Sequence, residues 1–384
     1  MGSTDRPAAM GGDGRRSASS ALTPLDAACR RLLAGVAHVM PLRRDLAAAI
    51  GARMAADVLV PAGCPAGPLA LRDGWAVAAE AVAGAGPYSP VLLVRRPEWV
   101  EAGDRLPVGA DTVLDPEAVP DTPDPMGRIA VVADAAGTDG TRQAGGDLGG
   151  GDILVAAGTR LTPLQSMALV ACGIAAVEVR SPAVALIATG AHAAPVCRGL
   201  AGLIAADGAR VVAVLDAPDE AQAIADAILA ASADAVLVVG GTGFGRTDRS
   251  AAGLAAAGTV AVHGIALRPG ESAGFGSATG RPVVLIPGRP EAALAAYLAL
   301  VRPLLDTLSG AVAADRPTAP LTRKVVSAPG VSDIVFVRRE VGGLVPLGGA
   351  EIPLHRLCLA DAAVLVPPER EGYGEGTTVP FIPL

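Results

Sequence analysis

The chain has 384 residues, enough for two or more domains with a sizeable buried core. It is about half hydrophobic yet only 2% aromatic, so Ala and Gly dominate and Ala-based periodicity carries little weight. With Lys+Arg 31 against Asp+Glu 38 and net charge -7, no basic face for nucleic acid is evident, and an anionic ligand would need local donors.

The first twenty residues, rich in Gly, Ser and Arg, have no apolar signal region and read as a disordered tail. Leu22 to Ala49 has helical spacing, with Thr23 as N-cap and Pro24 at the first helical position. Short β-like runs follow at Val91–Val94, Thr112–Leu114 and Ile129–Val132, separated by Pro and Gly, and suggest a small β-rich insertion. Ala135 to Asp152 reads as a Gly-rich loop, and Leu161 to Gly173 as a helix ended by glycine.

From Ala183 onward strands and helices alternate. Strands are expected at 183–188, 210–215, 235–239, 259–266 and 282–286, and helices at 200–209, 220–231, 250–257 and 291–308. That alternation predicts a doubly wound sheet with a mostly parallel core. A Pro-rich linker at 315–320 leads to a strand-like C-terminal region. No stretch of about 18 residues is apolar and free of charge, Gly and Pro together, so no membrane span is expected. Five scattered cysteines without metal spacing read as reduced thiols and point to the cytoplasm.

Ligands of open α/β sheets sit at the carboxyl ends of the strands. Gly240-Gly241-Thr242-Gly243-Phe244-Gly245-Arg246-Thr247-Asp248 follows a strand, and its glycines let N–H groups approach an anion while the next helix offers its N-terminus. It is neither GxGxxG nor a P-loop, and it also fits a plain strand-to-helix turn. Asp219, at a helix entrance, is either an N-cap or a partner of Asp248 in holding Mg²⁺ beside a phosphate. Arg268 and Arg289, each after a strand, could clamp an oxyanion or simply be solvated.

The glycine loop with its Asp resembles the pterin-binding signature shared by molybdopterin adenylyltransferases and molybdenumtransferases. Other segments extend the likeness from about Leu22 to Leu384. Arg72-Asp73-Gly74-Trp75-Ala76-Val77 resembles MDGYAV. Gly103 to Val113 resembles TGAxLPxGADAVV, with Glu117 at its acidic position. Gly145-Gly146-Asp147 followed by Ala157 to Leu161 resembles GED…AGTRL. Ala188-Thr189-Gly190 stands where the family has STGDEL, Arg268-Pro269-Gly270 resembles KPGKP, and Pro287-Gly288-Arg289-Pro290 resembles PGNP. By the order and spacing of these segments the chain resembles the molybdopterin molybdenumtransferase family, of MoeA and gephyrin E-domain type, as a divergent member.

The resemblance implies a multidomain α/β fold: a helical or mixed domain I (21–57 with 146–182), a β-rich insertion as domain II (58–145), a molybdopterin-binding α/β domain III (183–314) and a β-barrel-like domain IV (315–384). It implies a homodimer that inserts molybdate into adenylylated molybdopterin, with Mg²⁺, releasing AMP. An adenylyltransferase or a client molybdoenzyme would be a further partner. Asp219 and Asp248 match acidic positions of the pterin domain and would hold the metal. Asp73 and Asp147 match second-domain acids that in the dimer would face the partner's pterin site. Thr189, Gly190, Gly240, Gly241, Thr242, Gly243, Gly245, Arg268, Pro287, Gly288, Arg289 and Glu117 would contact substrate.

Several polar positions depart from the pattern. Ala191 and His192 replace two acids, Arg268 and Glu271 replace two lysines, Arg289 replaces Asn, Gly146 replaces Glu and Arg72 replaces Met. A Lys-to-Glu reversal about 4 Å from a phosphate shifts the interaction by several kcal/mol at an effective dielectric near 20. His192 is either a ligand or base or merely exposed. An accessory or carrier protein that binds pterin without efficient transfer, or an adenylyl-transfer activity suggested by Gly243, therefore stands beside the transferase reading.

Overall fold

The computed structural model describes residues 22–121, 126–190, 193–245, 248–313 and 315–384. The expected N-terminal tail, Ala191, His192, Arg246 and Thr247 lie outside them. The described chain forms two compact units, one of residues 22–39, 181–309 and 313–384, the other of Met40–Arg180 with Gly310–Val312.

The first unit is built on a six-stranded sheet. In chain order its elements are β1 (Ala183–Thr189), α1 (Ala193–Ala206), β2 (Arg210–Ala217), α2 (Ala221–Ala230), β3 (Ala235–Val239), α3 (Ser250–Ala257) and β4 (Thr259–His263). These are followed by β5 (Ile265–Arg268), β6 (Gly274–Ala278), β7 (Arg281–Ile286) and α4 (Pro290–Ser309). The strand order is β2-β1-β3-β7-β6-β4, parallel through β7 and antiparallel at the β6 and β4 edge.

Successive residues of a strand face opposite sides of a sheet. Leu186, Leu237 and Val284 accordingly join Cys197, Leu200 and Ile204 of α1 and the α4 side chains in one core. Ile187, Val236, Val238 and Leu285 join Ile224, Ile228 and Leu254 of α2 and α3 in another. Both faces are covered, which is why β1, β3 and β7 read as unbroken apolar runs. Helix α4, long and apolar enough to cross a membrane, is a core helix here: Tyr297, Leu300, Val301 and Leu304 are fully buried. A π-helical stretch at Tyr297–Val301 accompanies a polar tie in which Tyr297 Oη and Arg302 Nε both donate to Asp207 Oδ2, at 2.6 and 2.8 Å.

The run expected as one strand, 259–266, is two. Gly264, at φ +99°, turns the chain, so β4 ends in the α/β sheet and β5 enters a different one. There β5 pairs in parallel with Thr23–Pro24 on one side and with β8 (Ser332–Glu340) on the other. Strand β8 also pairs antiparallel with β9 (Gly343–Gly348) and β10 (Ala362–Val366), and β10 with β11 (Ile382–Pro383). The barrel-like C-terminal expectation is corrected by this arrangement: among the described residues the sheet is mixed and open, because Gly264 feeds it a strand from the α/β region.

The expected helix over 22–49 is also corrected. Thr23 and Pro24 are strand residues, the helix runs over Leu25–Leu33, and Leu42–Asp45 is a strand paired with Ala176–Arg180. Gly35 at φ +75° ends the helical register, and Pro41 cannot supply a helical N–H. Leu25, Ala28 and Leu32 are buried in the first unit's core, within the segment the sequence assigned to domain I.

In the second unit the expected strands form at Val91–Leu93, Thr112–Leu114 and Ile129–Val131. Its helix Pro163–Ala171 carries a capping box in which Thr162 Oγ1 accepts from Gln165 N at 3.2 Å and Gln165 Oε1 accepts from Thr162 N at 3.0 Å.

Candidate functional site

A cleft of about 600 Å³ opens at the carboxyl ends of β1, β3 and β7. Thr189 and Gly190 line it after β1, Gly240 to Gly243 and Asp248 after β3, and Pro287, Gly288, Arg289 and Pro290 after β7. Ala193, Pro195, Val196 and Ser272 complete the wall.

The backbone can pass here only because the residues are glycines. Gly240 has φ +97°, and a Cβ on it would lie 2.1 Å from the Thr189 carbonyl oxygen. On Gly241, at φ +55°, a Cβ would meet Asp219 Oδ1 at 2.8 Å. The loop is pinned from several sides. Gly240 N donates to Ile286 O at 2.9 Å, Ser250 Oγ donates to Gly240 O at 2.7 Å, and His263 Nε2 stands 2.8 Å from Thr242 O. Thr242 Oγ1 and Ser272 Oγ share a hydrogen bond of 3.1 Å.

The two acids sit differently around this loop. Asp219 is not an N-cap: Glu220 occupies that position of α2, and Asp219 Oδ1 instead accepts from Thr189 Oγ1 at 3.4 Å. Asp248 Oδ2 accepts from Gly245 N at 2.9 Å, and a Cβ on Gly243 would come within 2.6 Å of that oxygen. The carboxylate thus fills the space a serine at 243 would need, which is a physical reason for glycine there.

The arginines divide as well. Arg289 lines the cleft at the start of α4, with its side chain 61% exposed and its Nε 3.4 Å from Glu291 Oε1. It is the cation among the described cleft-lining residues, and it stands at a helix N-terminus, where anions are favoured. Arg268 does not line the cleft. Its Nε and Nη2 bind the two oxygens of buried Asp333 at 2.6 Å each, and Ser327 Oγ donates to the same carboxylate at 2.6 Å. The oxyanion clamp expected of Arg268 and Arg289 together is therefore corrected, since a bidentate carboxylate partner occupies the Arg268 fork. Glu271 turns away too, accepting from Gly270 N at 3.1 Å.

Asp73, Asp147 and Glu117 lie in the second unit. Asp73 Oδ1 accepts from Ala102 N at 2.7 Å, Asp147 Oδ1 pairs with Arg142 Nη1 at 2.7 Å, and Glu117 is exposed on a short 3-10 turn. Ser272 and His263 escaped the sequence reading. Ser272 stands at the last position of the KPGKP-like segment, in place of its proline, whereas nothing in the sequence marks the strand-end His263. Among the described residues no cluster of three or more His, Cys, Asp or Glu could hold a metal ion.

Comparison with known proteins fits this geometry. The MoeA N-terminal region (domain I and II) matches residues 21–173, and a probable molybdopterin binding domain matches residues 197–307. The crystal structure of a molybdopterin biosynthesis MoeA protein from Pyrococcus horikoshii aligns with TM-score 0.74 at 27% identity, covering 94% of this chain and 99% of that one. The chain belongs to the MoeA-type molybdopterin molybdenumtransferase family. Molybdopterin molybdenumtransferase 2 of Mycobacterium tuberculosis is 28% identical over 333 residues, 76% of this chain and 81% of that protein. Molybdopterin molybdenumtransferase 1 of the same organism is 28% identical over 365 residues, 82% and 83% of the two chains. The family places the chain in molybdenum cofactor biosynthesis.

Proposed function

We propose that this MoeA-type chain is a molybdopterin molybdenumtransferase that inserts molybdate into adenylylated molybdopterin and releases AMP. The observation that carries the reading is the cleft itself. In a chain of this family, a glycine loop, the α4 N-terminus and Arg289 converge where an anionic pterin phosphate would be held. The N–H groups of Gly241, Thr242 and Gly243 and the Arg289 guanidinium bind phosphate oxygens, while Gly240 and Gly245, whose N–H groups go to Ile286 O and Asp248 Oδ2, hold the loop in shape around the substrate. Thr189, Gly190, Pro287 and Gly288 shape the wall.

Asp219 and Asp248 offer the hard oxygen donors that Mg²⁺ takes, one or two carboxylates beside substrate phosphates, so the residues present fit that ion. When bound it would neutralise phosphate charge as AMP leaves. Asp73, Asp147 and Glu117 are proposed as further acids acting on substrate. We also propose the four-domain division, a cytoplasmic location, and a homodimer. The dimer is supported by the exposed apolar stripe Leu164, Met167 and Val170 on one helix.

The test is single-turnover AMP release from adenylylated molybdopterin, molybdate and Mg²⁺. Asp248→Asn is expected to slow it by about a hundredfold or more, close to 3 kcal/mol of barrier, while circular dichroism stays unchanged. Tight pterin binding without AMP release would overturn the transferase and leave a carrier, a reading favoured by the commitment of Arg268 to Asp333.

A further inference from the structure

Two thiols meet in the second unit, outside every residue assigned above to substrate. Cys64 Sγ donates to Ala171 O at 3.5 Å, and the next residue, Cys172, is in hydrogen-bonding contact with the Cys64 thiol. Both backbones are fixed. Cys64 N donates to Leu148 O at 2.9 Å, and its own carbonyl accepts from Asp147 N and Leu148 N at 3.0 and 3.1 Å. Cys172 is the C-cap of the helix Pro163–Ala171, its N–H donating to Ala168 O and Val170 O. Both side chains keep some solvent exposure, whereas Cys197 is buried in the α/β core.

We propose that Cys64 and Cys172 form a reversible disulfide, a modification site that ties the ribbon bearing Asp147 to the end of that helix. With a peroxide as oxidant, one thiolate attacks the O–O bond, giving a sulfenic acid and water. The second thiol then attacks the sulfenic sulfur, the S–S bond forms and a second water leaves. Two protein sulfurs are oxidised by two electrons in all, and the peroxide is reduced. A small dithiol restores the pair. Burial, then the neighbouring Cys64, raises the Cys172 thiol above its usual range, so oxidation should quicken as pH rises through the alkaline range.

The experiment treats the full-length protein with hydrogen peroxide, alkylates the remaining thiols, and maps peptides without reduction. The expected result is one cross-linked Cys64–Cys172 peptide, lost after dithiothreitol and absent in Cys64→Ser and in Cys172→Ser, with Cys29 and Cys358 still alkylated. Cys64 and Cys172 recovered singly as sulfinic acids, or a disulfide joining two chains on a non-reducing gel, would overturn it. The readout is peptide mass, so it is independent of the transferase reading.

Discussion

The first unit's inner parallel strands, β1, β3 and β7, are buried on both faces, and the largest of its three cores takes in α1, one face of the sheet, α4 and part of the C-terminal strands. The second unit is assembled otherwise. Among its described strands the longest is Ala176–Arg180, five residues, and each of its buried clusters is small, with none approaching the first unit's main core. A side chain in the first unit is thus held by tight packing from several directions. In the second, residues such as Asp73 and Asp147 are held by one backbone N–H or one exposed arginine. Substitutions should therefore reach far in the first unit and stay local in the second.

The sharpest way to break that contrast is a matched pair of glycines. Gly240→Ala should cost at least about 3 kcal/mol, because the added Cβ meets the Thr189 carbonyl and the φ is left-handed. Gly151→Ala in the second unit, at φ +88° with open space around it, should cost only about 1 kcal/mol. Equal losses in urea titrations would erase the distinction.

Next come two arginines. Removing Arg268 strands the buried Asp333 carboxylate, and Arg268→Ala should lose about 3 kcal/mol, the low end for a broken buried pair because the arginine is partly exposed. Arg142→Ala, which breaks the exposed pair with Asp147, should change stability by less than about 1 kcal/mol. A thermal melt of each variant decides.

A smaller effect is expected from Cys197. Burial, aided by the Asp216 charge, pushes its thiol up to about 11. The raised value favours the protonated thiol in the folded state. Stability should then fall as pH rises from the ordinary thiol range towards 11, and level off above it. Cys197→Ala should flatten that slope, and an unchanged pH profile would contradict the burial argument. Smallest of all in folding terms, Met167→Glu should leave the melt within about 0.5 kcal/mol while shifting the particle to half its mass by light scattering; a mass unaltered by the substitution would remove that helix from the dimer surface.

The sequence made the first unit largely legible, since apolar runs such as Ala235–Val239 can only be strands covered on both sides, and glycines after strands mark the cleft. It misled where long-range partners decide. Arg268 looked free because Asp333, sixty-five positions away, is visible only in the fold. The helix expected through Ala49 failed because Gly35 and Pro41 outweigh an apolar spacing padded with alanine. His263 carried no sequence signal, its contact with Thr242 O arising from how β4 lies against the loop.

The turn at Gly264 has a consequence for anyone dissecting the molecule. It makes β5 an inner strand of the C-terminal sheet, flanked by Thr23–Pro24 and β8. A chain cut after residue 313 would keep every cleft-lining residue yet bare one side of β5, leaving unpaired N–H and C=O groups as a template for foreign strands. The pterin-binding part and the tail are therefore one inseparable piece of cloth: excising the former should yield aggregates rather than a minimal enzyme, and grafting the latter elsewhere would require carrying β5 along.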